Sequence, residues 1–249
     1  MKKIDISEIK NNFHKFAELN FRNSENFEYY ILDKEYISKL EPFFDAVQKD
    51  ILNKEIFFRN TLQENLDILE RGGFFVAAFS NMELAGVISV DMAHGEKSLP
   101  TFMHLSPTDI LKSVIIDTVC TLPKYRGNSL QEKLMCICEY ICLQKGHKYA
   151  FMSISPNNYY SVNNAFKQEY TIFAIEELYG DNQKAGLTRY ILSLPLGKRL
   201  AKVKEQYSVI NSNIDMQKEV IDLGFLGMKA INFTSVDKFF VSYSKAFYD

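Results

Sequence analysis

The sequence predicts an α/β (α+β) chain, and three patterns carry that reading. The first is the stretch 113–145, which reads SVIIDTVCTL, then PKYRGNSL, then QEKLMCICEYICLQK. A β-branched run stops at Pro123, and Leu130, Leu134, Ile137, Ile141 and Cys142 then recur at helical spacing. The second is a pair of helical patterns, 36–52 and from Thr61 onward, that precede the hairpins. The third is a set of short apolar or alternating runs at 74–79, 84–91, 171–178 and 187–194. The element order over residues 27–196 is β-α-α-β-β-β-α-β-α-β-β.

Taken in order, residues 5–21 read as a helix, with Ile9, Phe13, Phe16 and Leu19 on one side, expected to pack on the domain. His14 reads as solvated surface. Residues 27–32 form a short strand. Residues 36–52 carry Leu40, Phe43, Phe44, Val47 and Ile51, with Pro42 marking a start or a kink. Thr61 and Glu64 form a capping-box signature ahead of Leu62, Leu66 and Leu69, and Gly72 and Gly73 stop that helix. Residues 74–79 and 84–91 pair around Ser80-Asn81-Met82-Glu83, and Gly86 marks a bulge. Residues 91–112 read as a long polar connection holding His94, His104 and Asp109, either a surface excursion or a source of a general base or acceptor contact. The two strands at 171–178 and 187–194 turn at Gly180-Asp181-Asn182.

Beyond residue 196 the pattern changes. Residues 198–207 are highly charged and read as a helical connector. Ser212 is placed as the cap of a short helix that Gly224 ends. Residues 225–233 and 238–244 read as a hairpin around Thr234-Ser235-Val236-Asp237. An isolated hairpin is marginal in water, so this one should extend or cover a sheet, in its own chain or in the mate of a homodimer.

A strand, tight loop and helix aim backbone N–H groups at one point, and the helix N-terminus adds partial positive charge. Residues 122–131 are therefore either an anion site with Lys124 and Arg126 leading in, or an ordinary strand-to-helix connection. Residues 119–131, VCTLPKYRGNSLQ, resemble the acyl-CoA-binding motif of the GNAT N-acetyltransferase superfamily: strand, proline, then Gln/Arg-x-x-Gly-x-Gly/Ala opening a helix. Arg126 fills the first place, and Ser129 and Gln131 stand where small residues are usual. After an apolar strand at 149–154, the run SPNNYYSVNNAF resembles the family's Asn-x-x-Ala/Ser helix, with Asn158 and Ser161 matching and Glu169 in place of the usual glycine before Tyr170.

The resemblance spans about residues 27–196. It implies a mixed, mostly antiparallel central sheet with helices on both faces; residues 197–249, read above as a C-terminal helix and β-hairpin extension, lie outside it. It implies acetyl-CoA as cosubstrate, met by Val119, Cys120, Thr121, Arg126, Gly127, Asn128, Ser129, Leu130, Gln131, Asn158 and Ser161, and an amine acceptor facing the first two helices. Ser129 is placed in the first turn of the helix, where φ is negative, so the usual glycine there would serve close approach.

The implied chemistry is direct transfer. An amine loses a proton to a carboxylate and attacks the thioester, while N–H groups of the strand at 114–122 steady the oxyanion. The thiolate commonly takes its proton from a tyrosine seven residues beyond the asparagine. That position is Ala165 here, but a thiol near pH 8.5 can leave without an acid. Asp117 is the sole acid in the strand. Period 2 puts it on one face with Ile115 and Val119, unless a bulge reassigns the faces. It is either the general base or a structural aspartate.

Composition narrows the remaining choices. A chain of 249 residues with 47% hydrophobic residues can bury a core, and a net charge of −2 argues against nucleic acid or an anionic membrane as partner. The lysines of MKKIDISEIK have no apolar stretch behind them, and no run reaches a membrane span. Cys120, Cys136, Cys138 and Cys142 form no C-x-x-C pair and no zinc set, and they read as reduced, packed residues of a cytoplasmic protein.

Overall fold

The computed structural model describes residues 1–17, 19, 26–95, 98–180 and 185–249. The elements run β1 (Lys2–Lys3), α1 (Ile6–Asn12), α2 (His14–Ala17), β2 (Glu28–Ile31), α3 (Lys34–Ile37), α4 (Glu41–Asp50), α5 (Leu62–Glu70), β3 (Phe74–Ser80), β4 (Glu83–Met92), α6 (Pro107–Leu111), β5 (Ser113–Thr121), α7 (Leu130–Gln144), β6 (Tyr149–Ile154), α8 (Tyr159–Lys167), β7 (Thr171–Leu178), β8 (Leu187–Pro195), β9 (Leu200–Ile210), α9 (Ile214–Asp222), β10 (Leu226–Ser235) and β11 (Lys238–Tyr248). The chain divides into two compact units, one of residues 1–93 with 114–147, the other of residues 94–113 with 148–249. Among the described residues no helix is long and apolar enough to cross a membrane.

In the first unit the strands lie in the order β1-β2-β3-β4-β5, each antiparallel to its neighbour. Helices cover both faces. Phe75, Ala77 and Phe79 of β3, Val87 of β4 and Cys120 of β5 bury one face against Ile37, Leu40, Phe43, Phe44, Val47 and Ile68 of the α3–α5 segment. The opposite face takes α7. A Cβ on Gly86 would meet Leu130 and the Cys120 carbonyl at 3.0 Å, so glycine lets α7 lie against β4. The bulge expected near Gly86 is present, because the β3–β4 register shifts between Ala78↔Gly86 and Phe79↔Leu84. α1 and α2 pack on α7 through the Phe13–Tyr140 rings, the Tyr140 hydroxyl on Glu8, and Lys15 on the buried Glu139.

The helix expected over 5–21 breaks at Phe13, whose extended backbone ends α1, and positions 18, 20 and 21 of it lie outside the described residues. The pattern at 36–52 is two helices. Asp33 caps α3, and Pro42 stands in the first turn of α4, where its missing N–H costs nothing. The Thr61–Glu64 capping box is complete in both directions.

In the second unit the order is β6-β8-β7-β10-β11-β9, again antiparallel throughout. The connection over 91–112 is less irregular than expected. It holds a 3₁₀ turn at Leu99–Met103, with Leu99 and Pro100 buried, and α6, capped by Ser106. Asp181 and Asn182 of the expected turn lie outside the described residues.

The charged stretch 198–207 corrects a prediction: it is not helix but the start of β9, paired with β11 from Leu200↔Tyr248 to Ile210↔Phe240. Its sequence alternates, with Ala201, Val203, Tyr207 and Val209 on odd positions, and that period of 2 outweighs the helix propensity of its lysines and glutamate. The helix after it is capped by Asn213 and not by Ser212, since the Asn213 side chain accepts from the Met216 N–H at 3.2 Å.

The C-terminal hairpin extends the sheet within its own chain. β10 sits beside β7 at Gly227↔Ile172, where a Cβ on Gly227 would meet Ile172 and Val241 at 3.1 Å. A buried polar network holds the extension down. The Gln217 side-chain oxygen accepts from the Tyr190 hydroxyl at 2.8 Å and the Tyr243 hydroxyl at 2.7 Å, and its amide donates to the carbonyls of Ile210 and Asn211. Asn211 donates in turn to the Pro156 and Asp237 carbonyls. Every hydrogen-bonding position of Gln217 is used, as burial requires. The Tyr248 hydroxyl adds a contact to the Glu169 carbonyl at 3.0 Å.

Candidate active site

β5 departs from a regular strand at one step. Thr118 opposes Ser89 and Ile116 opposes Val90, so Asp117 is the extra residue of a bulge. The bulge reassigns the faces. Ile115 opposite Asp91 lies on the α3–α5 side, as does Cys120 opposite Val87, whereas Val119 opposite Ile88 lies on the α7 side. Asp117 and Thr118 both reach toward Ser89, so Asp117 does not share a face with Val119 as strict alternation predicts.

Three donors meet one oxygen of Asp117. Oδ2 accepts from Asn60 Nδ2 at 2.6 Å, from Thr118 Oγ1 at 3.2 Å and from Ser89 Oγ at 3.3 Å. The Ser89 hydroxyl is itself oriented, because its oxygen accepts from the Thr118 N–H at 3.0 Å. Oδ1 takes no hydrogen bond from the described residues and is the side open to a proton. The residue is reached by water yet surrounded by packed protein, a recessed and wetted position. Crowding by protein pushes its carboxyl above the ordinary carboxylate range, nearby Asp91 adds to that, and the bonds from Asn60, Thr118 and Ser89 oppose it. Asp91 is itself gripped by Arg71, at 2.7 and 3.1 Å.

The strand leads into the expected turn. Leu122 ends the pairing with its N–H on the Ala85 carbonyl, and a 3₁₀ turn, Pro123–Tyr125, follows. Gly127 stands at φ 80° and Ser129 at φ 53°. Ser129 is therefore the residue before the helix, in the left-handed region, and not part of the first turn with negative φ. The glycine usual at this place would relieve the backbone, which costs an L-residue roughly 1–2 kcal/mol there. The first intrahelical bond runs from the Lys133 N–H to the Ser129 carbonyl, so the helix proper begins at this turn. Leu130 is buried and anchors this turn on Gly86. Asn128 donates to the Tyr125 carbonyl at 3.1 Å, and Arg126 is held by Asp50 at 2.5 Å.

Three predicted contacts sit differently from one another. Val119 and Thr121 are half-buried, whereas the Cys120 side chain is in the core, its thiol pushed up to about 12 by burial. A ligand could meet Cys120 through its backbone alone.

In the second unit Asn158 caps α8, accepting the Ser161 N–H at 3.2 Å, so the two matched residues are joined by one hydrogen bond. Ala165 is fully buried and offers no proton donor. Tyr159 packs its ring on Phe239, centroids 5.3 Å apart, while Tyr160 is exposed. Glu169 stands at φ 67°, and the N–H of Tyr170 reaches back to the Ala165 carbonyl. That is a helix terminus built for glycine. His94, His104 and Asp109 belong to this unit, and Asp109 is committed to Lys148 and Ser106.

No family model matches the chain, and no curated protein matches it. Solved structures do. An N-acetyltransferase from Staphylococcus aureus aligns with a TM-score of 0.52 at 12% identity, covering 69% of this chain and 99% of its own. An acetyltransferase of the GNAT family from Streptococcus pneumoniae aligns at 0.52 and 13%, covering 69% and 100%. The chain has the GNAT fold. A GNAT-superfamily phosphinothricin acetyltransferase from Sinorhizobium meliloti, solved with acetyl-CoA, aligns at 0.52 and 12% over 70% of this chain and 90% of its own. In this chain the bulged β5, the left-handed turn and α7 follow one another without a break.

Asn60 and Ser89 were not readable as site residues. They lie 57 and 28 residues from Asp117. Asn60 carried one faint local signal, its place next to the Thr61 cap, and Ser89 sat unremarked in an alternating strand.

Proposed function

We propose that the protein is an acyl-CoA-dependent N-acyltransferase that moves an acetyl group from acetyl-CoA to a primary amine of a small molecule or peptide. One observation carries the reading: Asp117 stands at a strand bulge with one carboxylate oxygen held by three donors and the other bonded by none of the described residues, on the strand that leads into the left-handed turn at the start of α7. The likeness to the Sinorhizobium enzyme, solved with acetyl-CoA, supports the cosubstrate.

On this reading the turn from Arg126 to Gln131 receives the pyrophosphate, with Gly127, Asn128, Ser129 and Leu130 presenting backbone to it. Val119, Cys120 and Thr121 meet the cosubstrate by backbone. Asp117 Oδ1 takes the proton of the attacking amine. The amine nitrogen bonds to the acetyl carbon, and the carbon–sulfur bond breaks. With Ala165 in the core, the sulfur leaves as thiolate and takes its proton from water. Buried, reduced cysteines fit a cytoplasmic site of action.

The buried Ala165 and the Arg126–Asp50 pair favour one second reading, a GNAT-fold module that binds acyl-CoA or a protein partner without efficient turnover. Release of free thiol from acetyl-CoA, measured with and without an amine panel, separates the two. Amine-dependent thiol supports transfer. Protein that binds coenzyme A but releases no thiol with any amine supports the module.

A further inference from the structure

Asn60 is fixed from both sides. Its predecessor Arg59 is tied to Glu41 and to Asp45 on α4 and lies over the Phe44 ring, 5.7 Å from its centroid. Its successor Thr61 is the N-cap of α5, locked by a two-way capping box. The segment between α4 and α5 thus has little freedom at this residue, and its side chain delivers an N–H to Asp117 at 2.6 Å, the shortest of the three bonds to that carboxylate. Ser89 and Thr118 are supplied by the sheet itself, whereas Asn60 comes from the helical layer above it.

We propose that Asn60 is a positioning residue for Asp117, holding Oδ2 so that Oδ1 faces the incoming amine and the carboxylate stays ionised for proton removal. The proposal rests on the reading of Asp117 as the base. Only one side chain in this set can be lost without altering the strand bulge, because Ser89 also binds the Thr118 N–H and Thr118 is part of the bulge. The charged groups facing Asp117 are Asp91 on β4 and, beyond it, Arg71 at the end of α5. Asp91 raises the affinity of Asp117 for a proton, so the neutral donor from Asn60 works against a repulsion already present.

The test is Asn60→Ala, read in two ways on the full chain. Carbon-13 NMR titration of the Asp117 carboxyl should move upward by about one pH unit, and kcat/KM for acetyl transfer at pH 7 should fall roughly tenfold, as expected for one lost hydrogen bond to a charged group. The loss should shrink as pH rises, and KM for acetyl-CoA should stay constant. In an Asp117→Asn background, Asn60→Ala should cost nothing further. Asn60→Asp, which places a second acid on Asp117, should raise the titration more than Asn60→Ala does. An unmoved titration in both Asn60 variants, with Asp117→Asn inactive, overturns the positioning role alone. A shifted titration with Asp117→Asn fully active overturns Asp117 as the base, and the proposal with it.

Discussion

Arg126 donates a hydrogen bond to Asp50 at 2.5 Å, closing the loop ahead of α7 onto the end of α4. The pair is about half exposed on both sides, so it holds the loop with an energy of roughly 0–1 kcal/mol. A pyrophosphate at this turn would compete with Asp50 for the guanidinium. Asp50→Asn should therefore tighten coenzyme A binding by up to about fivefold, while Arg126→Gln should weaken it by about tenfold or more. Calorimetry with coenzyme A checks both. Wild-type protein that is folded and shows no binding at millimolar ligand would remove the loop from the proposal altogether.

Asp117→Asn should lower kcat/KM by roughly 10²–10⁴ and leave coenzyme A affinity unchanged. Its stability carries a second sign. The folded-state proton affinity of Asp117 is raised, so the wild type loses stability as pH climbs from the ordinary carboxylate range through the raised value, and it regains that stability below. The asparagine variant lacks this loss. Its Tm should equal or exceed that of the wild type at pH 7 to 8, the difference vanishing in acid. A variant that unfolds at neutral pH would make Asp117 a structural residue.

Ser129 and Glu169 are two L-residues in left-handed backbone, at φ 53° and 67°. Ser129→Gly and Glu169→Gly should each stabilise by about 1 kcal/mol, a rise of roughly 2–4 °C in Tm for a chain of this size. Differential scanning calorimetry reads both. The added backbone freedom of glycine in the unfolded chain offsets part of the gain, so a drop in Tm would mean the side chains carry contacts that outweigh the strain.

Gln217→Leu should cost about 3–5 kcal/mol, because it leaves two buried tyrosine hydroxyls and the Asn211 carbonyl without their partner, while the Ile210 carbonyl keeps only the Asn213 N–H. Burial pushes the Tyr190 and Tyr243 phenols upward, so both remain donors across the working range of pH. Tyr243→Phe, which removes the hydroxyl along with its need, should cost nearer 1 kcal/mol. Urea unfolding of both variants measures the contrast. Equal costs would mean the network is less tightly coupled than its geometry implies.

These residues also mark how far the sequence could be read. In the first unit the patterns at 5–21 and 36–52 each proved to be two helices, whereas the Thr61 box, Pro123, and Leu130 with Leu134 on α7 followed from periodicity and punctuation. Those signals are local, and the structure obeys them. The stretch 198–207 was misread because lysine and glutamate favour helix, while the β11 partners that override them are 36 residues or more away in sequence. The departures at Ser129 and Glu169 were visible as odd letters, but a sequence shows no dihedral angle, so their retained left-handed backbone was not. The donors on Asp117 were hidden for a third reason. A carboxylate's partners are chosen by register and by loop placement, and neither Asn60 nor Ser89 leaves a periodic trace.

The seam between β7 and β10 has one further consequence. Its ladder is a single register pair, Gly227↔Ile172, while β9, β10 and β11 are zipped along most of their lengths. Amide protons along that ladder should exchange with deuterated solvent in two steps. Those at the seam open early, and those within the three terminal strands exchange together and later, once Gln217 lets go. The last fifty residues are then a cooperative block of their own, joined to β7 by one backbone pair and held down by side chains.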